Sequence, residues 1–161
     1  MHAPYSEMLA GVLTLRLSPG QRHELICGRL HALIRASVAN FPGTKLLDRR
    51  AEVRFDPSTA VRPDLALVAT ASGKLWLAAE VVSSDDHHTD TVIKKQIYED
   101  LKLPRLWMID PRYDNIEVYH ASEYGLKLRD ILAGRDVLSE KLLPELQMAV
   151  AELFAPSPES G

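Results

Sequence analysis

Two carboxylates stand where charge is costly. Asp64 opens the run LALV, and Glu80 sits between Ala79 and Val81 in LWLAAEVV. In a strand alternate side chains share a face, so Glu80 aligns with Trp76, Ala78 and Val82, while Leu77, Ala79 and Val81 occupy the other face. Both faces are apolar, and an isolated carboxylate there costs several kcal/mol unless a cation, a metal ion or a set of hydrogen-bond donors offsets it. Either acid alone reads as well as a strand-end group reaching water or as a turn cap. Two such acids in consecutive strands favour a shared site, because neighbouring carboxylates repel and a divalent cation relieves the repulsion. A third group comes from the next helix. On a helix advancing about 100° per residue, with Ile93, Ile97 and Leu101 marking the apolar arc, Lys94 borders the buried face and Lys95 points outward. An ammonium beside a metal-carboxylate pair can orient an attacking water and stabilise charge developing on phosphorus. The plainer reading, a lysine snorkelling from the helix rim, remains open at this point.

The elements that must hold these groups follow from periodicity and turn residues. VLTLRL (12–17) alternates as a strand and is closed by Ser18, Pro19 and Gly20. A helix is expected over about residues 20–38, with Ile26, Leu30, Leu33, Ile34 and Val38 at helical spacing, until Asn40, Pro42 and Gly43 stop it. AEVRF, the segment at Asp64 and LWLAAEVV read as three strands, followed by a second helix over roughly residues 89–102. RLWMID, NIEVYH and GLKLRD read as further strands, LLPELQMAVAELF closes the fold, and residues 156–161 form a loose tail. The expectation is one α/β domain over residues 1–155, with a mixed central sheet, two main helices and an added C-terminal β-hairpin region.

Composition narrows the setting. The chain has 161 residues, 46% of them hydrophobic, enough for one core. MHAPYSEML lacks a basic start followed by an apolar run, and no segment has the length of a membrane span, so a cytoplasmic protein without membrane partners is expected. The single cysteine, Cys27, excludes an internal disulfide and reads as core. A net charge of −3 gives no global attraction to nucleic acid, so such a partner has to meet a local cluster of basic residues. VVSSDDHHTD offers a rival metal site through Asp85, Asp86, His87, His88 and Asp90. The adjacent histidines lack an i, i+4 pairing, and a solvated loop capping the helix is the better reading. Asp90 falls in the buried arc, one turn before Lys94, where it supports the ammonium. Trp76, Trp107, Tyr98 and Tyr119 read as core or rim aromatics.

These residues resemble the Uma-type family of restriction-endonuclease-like proteins, whose core belongs to the PD-(D/E)XK nuclease superfamily. RPD is followed by EVVS, and then Ser83, Asp90, Lys94 and Tyr98 stand three, ten, fourteen and eighteen residues after Glu80, as the family pattern has them. SPGQRHELICGRL resembles the family's turn and first helix, LPRLWMIDP its later strand, and the likeness runs over about residues 10–155. The resemblance implies a restriction-endonuclease-like fold and a metal-dependent endonuclease, with DNA favoured over RNA. It implies Asp64, Glu80 and the Val81 carbonyl as ligands of Mg²⁺ or Mn²⁺, and Asp64, Glu80 and Lys94 as the catalytic set. His23, Glu24, Asp90 and Tyr98 would support them, and a homodimer would cut two strands. One departure from the superfamily's usual form is Val82, which stands where a lysine is common; Lys94 on the helix takes that role in this family. A catalytically silent nucleic-acid-binding or protein-interaction module on the same fold is the alternative.

Overall fold

The computed structural model describes residues 4–83 and 85–156. Its centre is a six-stranded sheet in the order β10-β9-β8-β7-β6-β3, built from β3 (Thr44–Leu46), β6 (Leu65–Ala69), β7 (Leu75–Val81), β8 (Arg105–Asp110), β9 (Asn115–Ser122) and β10 (Gly125–Ala133). β7 and β8 run parallel and every other pair is antiparallel, so the sheet is mixed as expected. Parallel neighbours need a crossover. Here the connection carries a helical segment, Thr89–Lys94 followed by α2 (Lys95–Asp100).

The two sheet faces are covered differently. Leu77, Ala79 and Val81 of β7 pack with Ile26, Leu30 and Ile34 of α1 (Gln21–Val38), and with residues of the β11–β12 pair (Val137–Glu140, Leu143–Ala149) and α3 (Val150–Phe154). Ala78 and Val82 face the opposite way, toward Ile97, Tyr98, Leu106 and Met108, and toward Leu9 and Val61 of a second sheet. Both faces of β7 are therefore buried, and Glu80 has no route to water along the strand. This arrangement is what sets the electrostatic problem at the site.

The second sheet, ordered β2-β1-β5-β4, lies outside the sequence-based outline except for β2 (Val12–Arg16) and β4 (Val53–Asp56). β1 (Tyr5–Leu9) and β5 (Thr59–Val61) are additional. β1 and β2 form a hairpin whose two connecting residues, Ala10 and Gly11, both have positive φ, 51° and 84°. Such a turn matches the twist of the flanking strands, and glycine is suited to it while alanine bears a steric cost. AG is a weak turn signal compared with NG, which is why β1 escapes periodicity analysis. Of the expected tail at 156–161, residues 157–161 lie outside the described residues. No described helix is long and apolar enough to cross a membrane.

Candidate active site

β6 and β7 bring the two predicted acids together. Leu65 pairs with Ala79 in this antiparallel ladder, and one further step in the same register sets Asp64 across from Glu80. Asp64 is turned toward the β7 backbone, where its Oδ2 accepts the Val81 N–H at 2.8 Å. Its Oδ1 accepts from Arg50 Nη1 at 2.9 Å. His23 Nε2 lies 3.5 Å from Oδ2 and 2.9 Å from the Val81 carbonyl oxygen. A carbonyl can only accept, so His23 carries its proton on Nε2. These donors and cations hold the Asp64 carboxyl well below its ordinary range although burial pushes it up, with His23, Lys94 and Arg50 overcoming that push.

Glu80 has the opposite fate. Tyr98 OH donates to its Oε2 at 2.5 Å, and Lys94 Nζ stands 2.7 Å from the same oxygen. Burial raises the Glu80 carboxyl to about 8; Lys94 acts against the rise, whereas Asp64, Glu7 and Asp90 add to it. Lys94 is fully buried and touches a second carboxylate, Glu7 Oε2, at 2.7 Å. The buried ammonium thus forms ion pairs with two carboxylates at once. Burial disfavours its charged form, but Glu80, Glu7 and Asp90 together raise its pKa and keep the proton on.

The helix phase inferred from sequence needs correction here. Thr89–Lys94 is a π-helix, with i→i+5 bonding and a wider turn than the α-helix assumed. The wider turn shifts the register: Ile93 and Leu101, taken as the two edges of the apolar arc, are 38% and 39% exposed. Lys94 moves from the rim to the middle of the buried face. Asp90 is buried with it, but its hydrogen bonds go elsewhere, to Arg16 Nη2 at 2.7 Å and the Ser83 N–H at 3.0 Å, and it acts on Lys94 through its field.

Five participants escaped sequence reasoning: Tyr5, Glu7, Arg16, Arg49 and Arg50. Glu7 on β1 is buried, accepts the Arg62 N–H at 2.7 Å and pairs with Arg16 Nη1 at 2.6 Å. Arg16, at the end of β2, links Glu7 to Asp90 and also reaches Asp86 at 2.9 Å. Arg50 joins Asp64 to Glu24, which it meets at 2.5 Å, and Arg49 adds a 2.8 Å contact to Glu24. Tyr5 lies between Arg16 and Arg50, with guanidinium-to-ring distances of 5.9 and 5.8 Å. The alternation Tyr5-Ser6-Glu7-Met8-Leu9 was the available signal for this strand.

A cleft of about 400 Å³ opens beside these groups, lined by Tyr5, Arg16, Arg22, His23, Asp64 and Arg112 among others. Asp64 and His23 face it directly. Glu80 and Lys94 are not in its wall, and Tyr5, whose phenol is held protonated by burial and by Asp64, borders it above them. In the rival loop His87 and His88 are exposed, and Asp86 accepts from Thr89 Oγ1 at 2.7 Å. Among the described residues the metal-capable group of His, Cys and acid lies elsewhere, at His23, Cys27 and Asp64. Trp107, Tyr98 and Tyr119 are core, and Trp76 is partly buried and donates to Thr44 Oγ1 at 2.6 Å.

The chain is similar in fold to a crystal structure of "a putative nuclease belonging to DUF820" from Anabaena variabilis. The match has a TM-score of 0.78 at 17% identity and covers 94% of this chain and 90% of that one. No curated protein matches the chain. Residues 3–151 match the model of the Uma2 family, described as "Putative restriction endonuclease". With nearly its whole length matched and its strand order and buried acid-lysine cluster in view, the chain belongs to the Uma2 family.

Proposed function

We propose that the protein is a metal-dependent nuclease that hydrolyses phosphodiester bonds in nucleic acid, DNA in preference to RNA. The observation carrying this reading is a charge imbalance. Among the described residues, the carboxylates of Glu7, Asp64, Glu80 and Asp90 pack with the cations of Arg16, Arg50 and Lys94, and Arg16 and Arg50 also serve Asp86 and Glu24, so carboxylates outnumber cations in the cluster. Burial raises the Glu80 carboxyl, and the neighbouring carboxylates of Asp64, Glu7 and Asp90 add to the rise. A divalent cation relieves it, and the oxygen donors offered suit a hard ion such as Mg²⁺ or Mn²⁺. Asp64, Glu80 and the Val81 carbonyl would hold the ion. When bound it supplies Lewis-acid polarisation of the phosphate and a more acidic water.

The chain's own groups have distinct tasks in this reading. Lys94, held charged by Glu7 and Glu80, is an electrostatic stabiliser of the developing phosphorane charge rather than a proton acceptor. Arg50 and the Val81 N–H keep Asp64 ionised and oriented. His23 lines the cleft with Nε2 on the Val81 carbonyl, so it orients that carbonyl. Tyr98 fixes one oxygen of Glu80. Arg22 and Arg112, at the cleft lining and paired with Asp114 and Asp110, would offer guanidinium N–H groups to a phosphate backbone.

The test is cleavage of single-stranded, double-stranded and branched DNA and of RNA with Mg²⁺ or Mn²⁺, beside Glu80→Ala and Lys94→Ala. Cleavage lost in both variants supports the reading; cleavage surviving both assigns it to another site. Cutting both strands of a duplex with one site per chain calls for a homodimer. Plasmid that is nicked at protein concentrations where the chain is monomeric and linearised where it is dimeric would support that arrangement.

A further inference from the structure

We infer that His23, Cys27 and Asp64 form a second metal site, selective for a thiophilic ion such as Zn²⁺, which shares Asp64 with the magnesium site and excludes magnesium when filled. His23 and Cys27 stand four residues apart on α1, on its sheet-facing side, and Asp64 meets them from the start of β6. One ligand atom from each of the three lies within 4.8 Å of the others. His23 Nδ1 and Cys27 Sγ are 3.6 Å apart, the separation two ligands of a tetrahedral zinc adopt at metal distances of about 2.1 and 2.3 Å.

Three further features distinguish this from a chance cluster. His23 donates Nε2–H to the Val81 carbonyl, and Nδ1 faces the Cys27 thiol at 3.6 Å. Metal-binding histidines are oriented in this way, with one ring nitrogen tied to a carbonyl and the other free for the ion. Asp64 is likewise pinned, by Arg50 and the Val81 N–H. His23 and Asp64 line the cleft, and the buried Cys27 thiol lies next to His23. The cleft supplies water for a fourth position. The donor set of imidazole, thiolate and one carboxylate selects zinc, cobalt or cadmium over magnesium, which takes oxygen ligands. On binding, the S–H bond breaks, its proton leaves to solvent and a metal–sulfur bond forms, with no change of oxidation state. Glu24 Oε1, 3.4 Å from His23 Nδ1, and the Arg49 and Arg50 guanidiniums on Glu24 complete the surroundings.

Binding at this site is independent of the nuclease reading, whereas the exclusion of magnesium rests on it. The probe is Co²⁺ added to the metal-free wild-type protein. A thiolate-to-cobalt charge-transfer band in the near ultraviolet, saturating at one ion per chain and displaced by Zn²⁺, is expected. Cys27 is the sole cysteine, so the band has one source. Absence of the band at saturating Co²⁺ overturns the site, with no variant needed. Cys27→Ser removes the band, and Asp64→Asn weakens cobalt binding by about tenfold or more; unchanged affinity in Asp64→Asn overturns the assignment of that ligand. Excess Mg²⁺ raises the apparent Kd for Co²⁺, and a lack of competition overturns the sharing. A protein that shows the band and cleaves no substrate keeps this site and loses the nuclease reading.

Discussion

Glu7 and Lys94 meet at 2.7 Å inside the protein, one from the first strand and the other from the helix that crosses between β7 and β8. Neither is exposed, and the contact ties the hairpin sheet to the Glu80-bearing face of the central sheet. Replacing Glu7 with Ala leaves Arg16 and Lys94 as partly uncompensated buried cations. We expect a loss of about 3–5 kcal/mol, the range for breaking a buried pair from one side, read by urea denaturation at neutral pH.

Glu7 also sets part of the acid limit of stability. Burial pushes its carboxyl up, but Lys94, the Arg62 N–H and Arg16 hold it below the ordinary value of 4.5. A carboxylate depressed in the fold stabilises the fold at pH above that ordinary value, and the contribution disappears as pH falls through the folded value. Metal-free Glu7→Gln is therefore expected to show a shallower fall in stability below pH 4.5 than wild type. Urea midpoints measured across that range check it; parallel curves for the two proteins would place the acid limit elsewhere.

Lys94→Met removes charge while keeping the length of the stem. Cleavage should drop by about 10²–10³, the usual cost of losing a preorganised stabiliser of developing charge, with the fold retained by circular dichroism. Lys94→Arg should not restore activity, because the fully buried ammonium site lacks room for a planar guanidinium.

Tyr98→Phe withdraws the 2.5 Å donor from Glu80. The buried carboxylate then lacks one hydrogen bond, at a cost of about 1–3 kcal/mol, and divalent ion becomes a larger part of what stabilises it. The expected readout is a lower melting temperature without metal and a larger rise on adding Mg²⁺ than wild type shows. Equal rises in the two proteins would contradict a metal on Glu80.

Much of the central sheet was legible because its strands are apolar runs bounded by turn residues: LWLAAEVV and RLWMID need no tertiary information to be recognised. Lys94 read only as a residue at the rim of the helix's apolar arc, whereas Asp64 and Glu80 announced themselves as charges in apolar surroundings, a signal physical chemistry can read directly. Glu7 and Arg16 did not, since in SEML and TLRL they alternate with apolar residues as on any half-exposed strand. Only the docking of the second sheet buries them. The phase of the crossover helix was misread for a different reason: periodicity assumes α geometry, and nothing in TDTVIK declares a π turn.

That turn has a bearing on how the site can be lost. Because the i→i+5 turn sets where Lys94 points, substitutions that let Thr89–Lys94 close to α geometry would turn the ammonium relative to Asp90, away from its place between Glu7 and Glu80, with every charged residue still encoded. Helix geometry, rather than side-chain identity alone, is thus a variable through which a chain of this kind could fall silent.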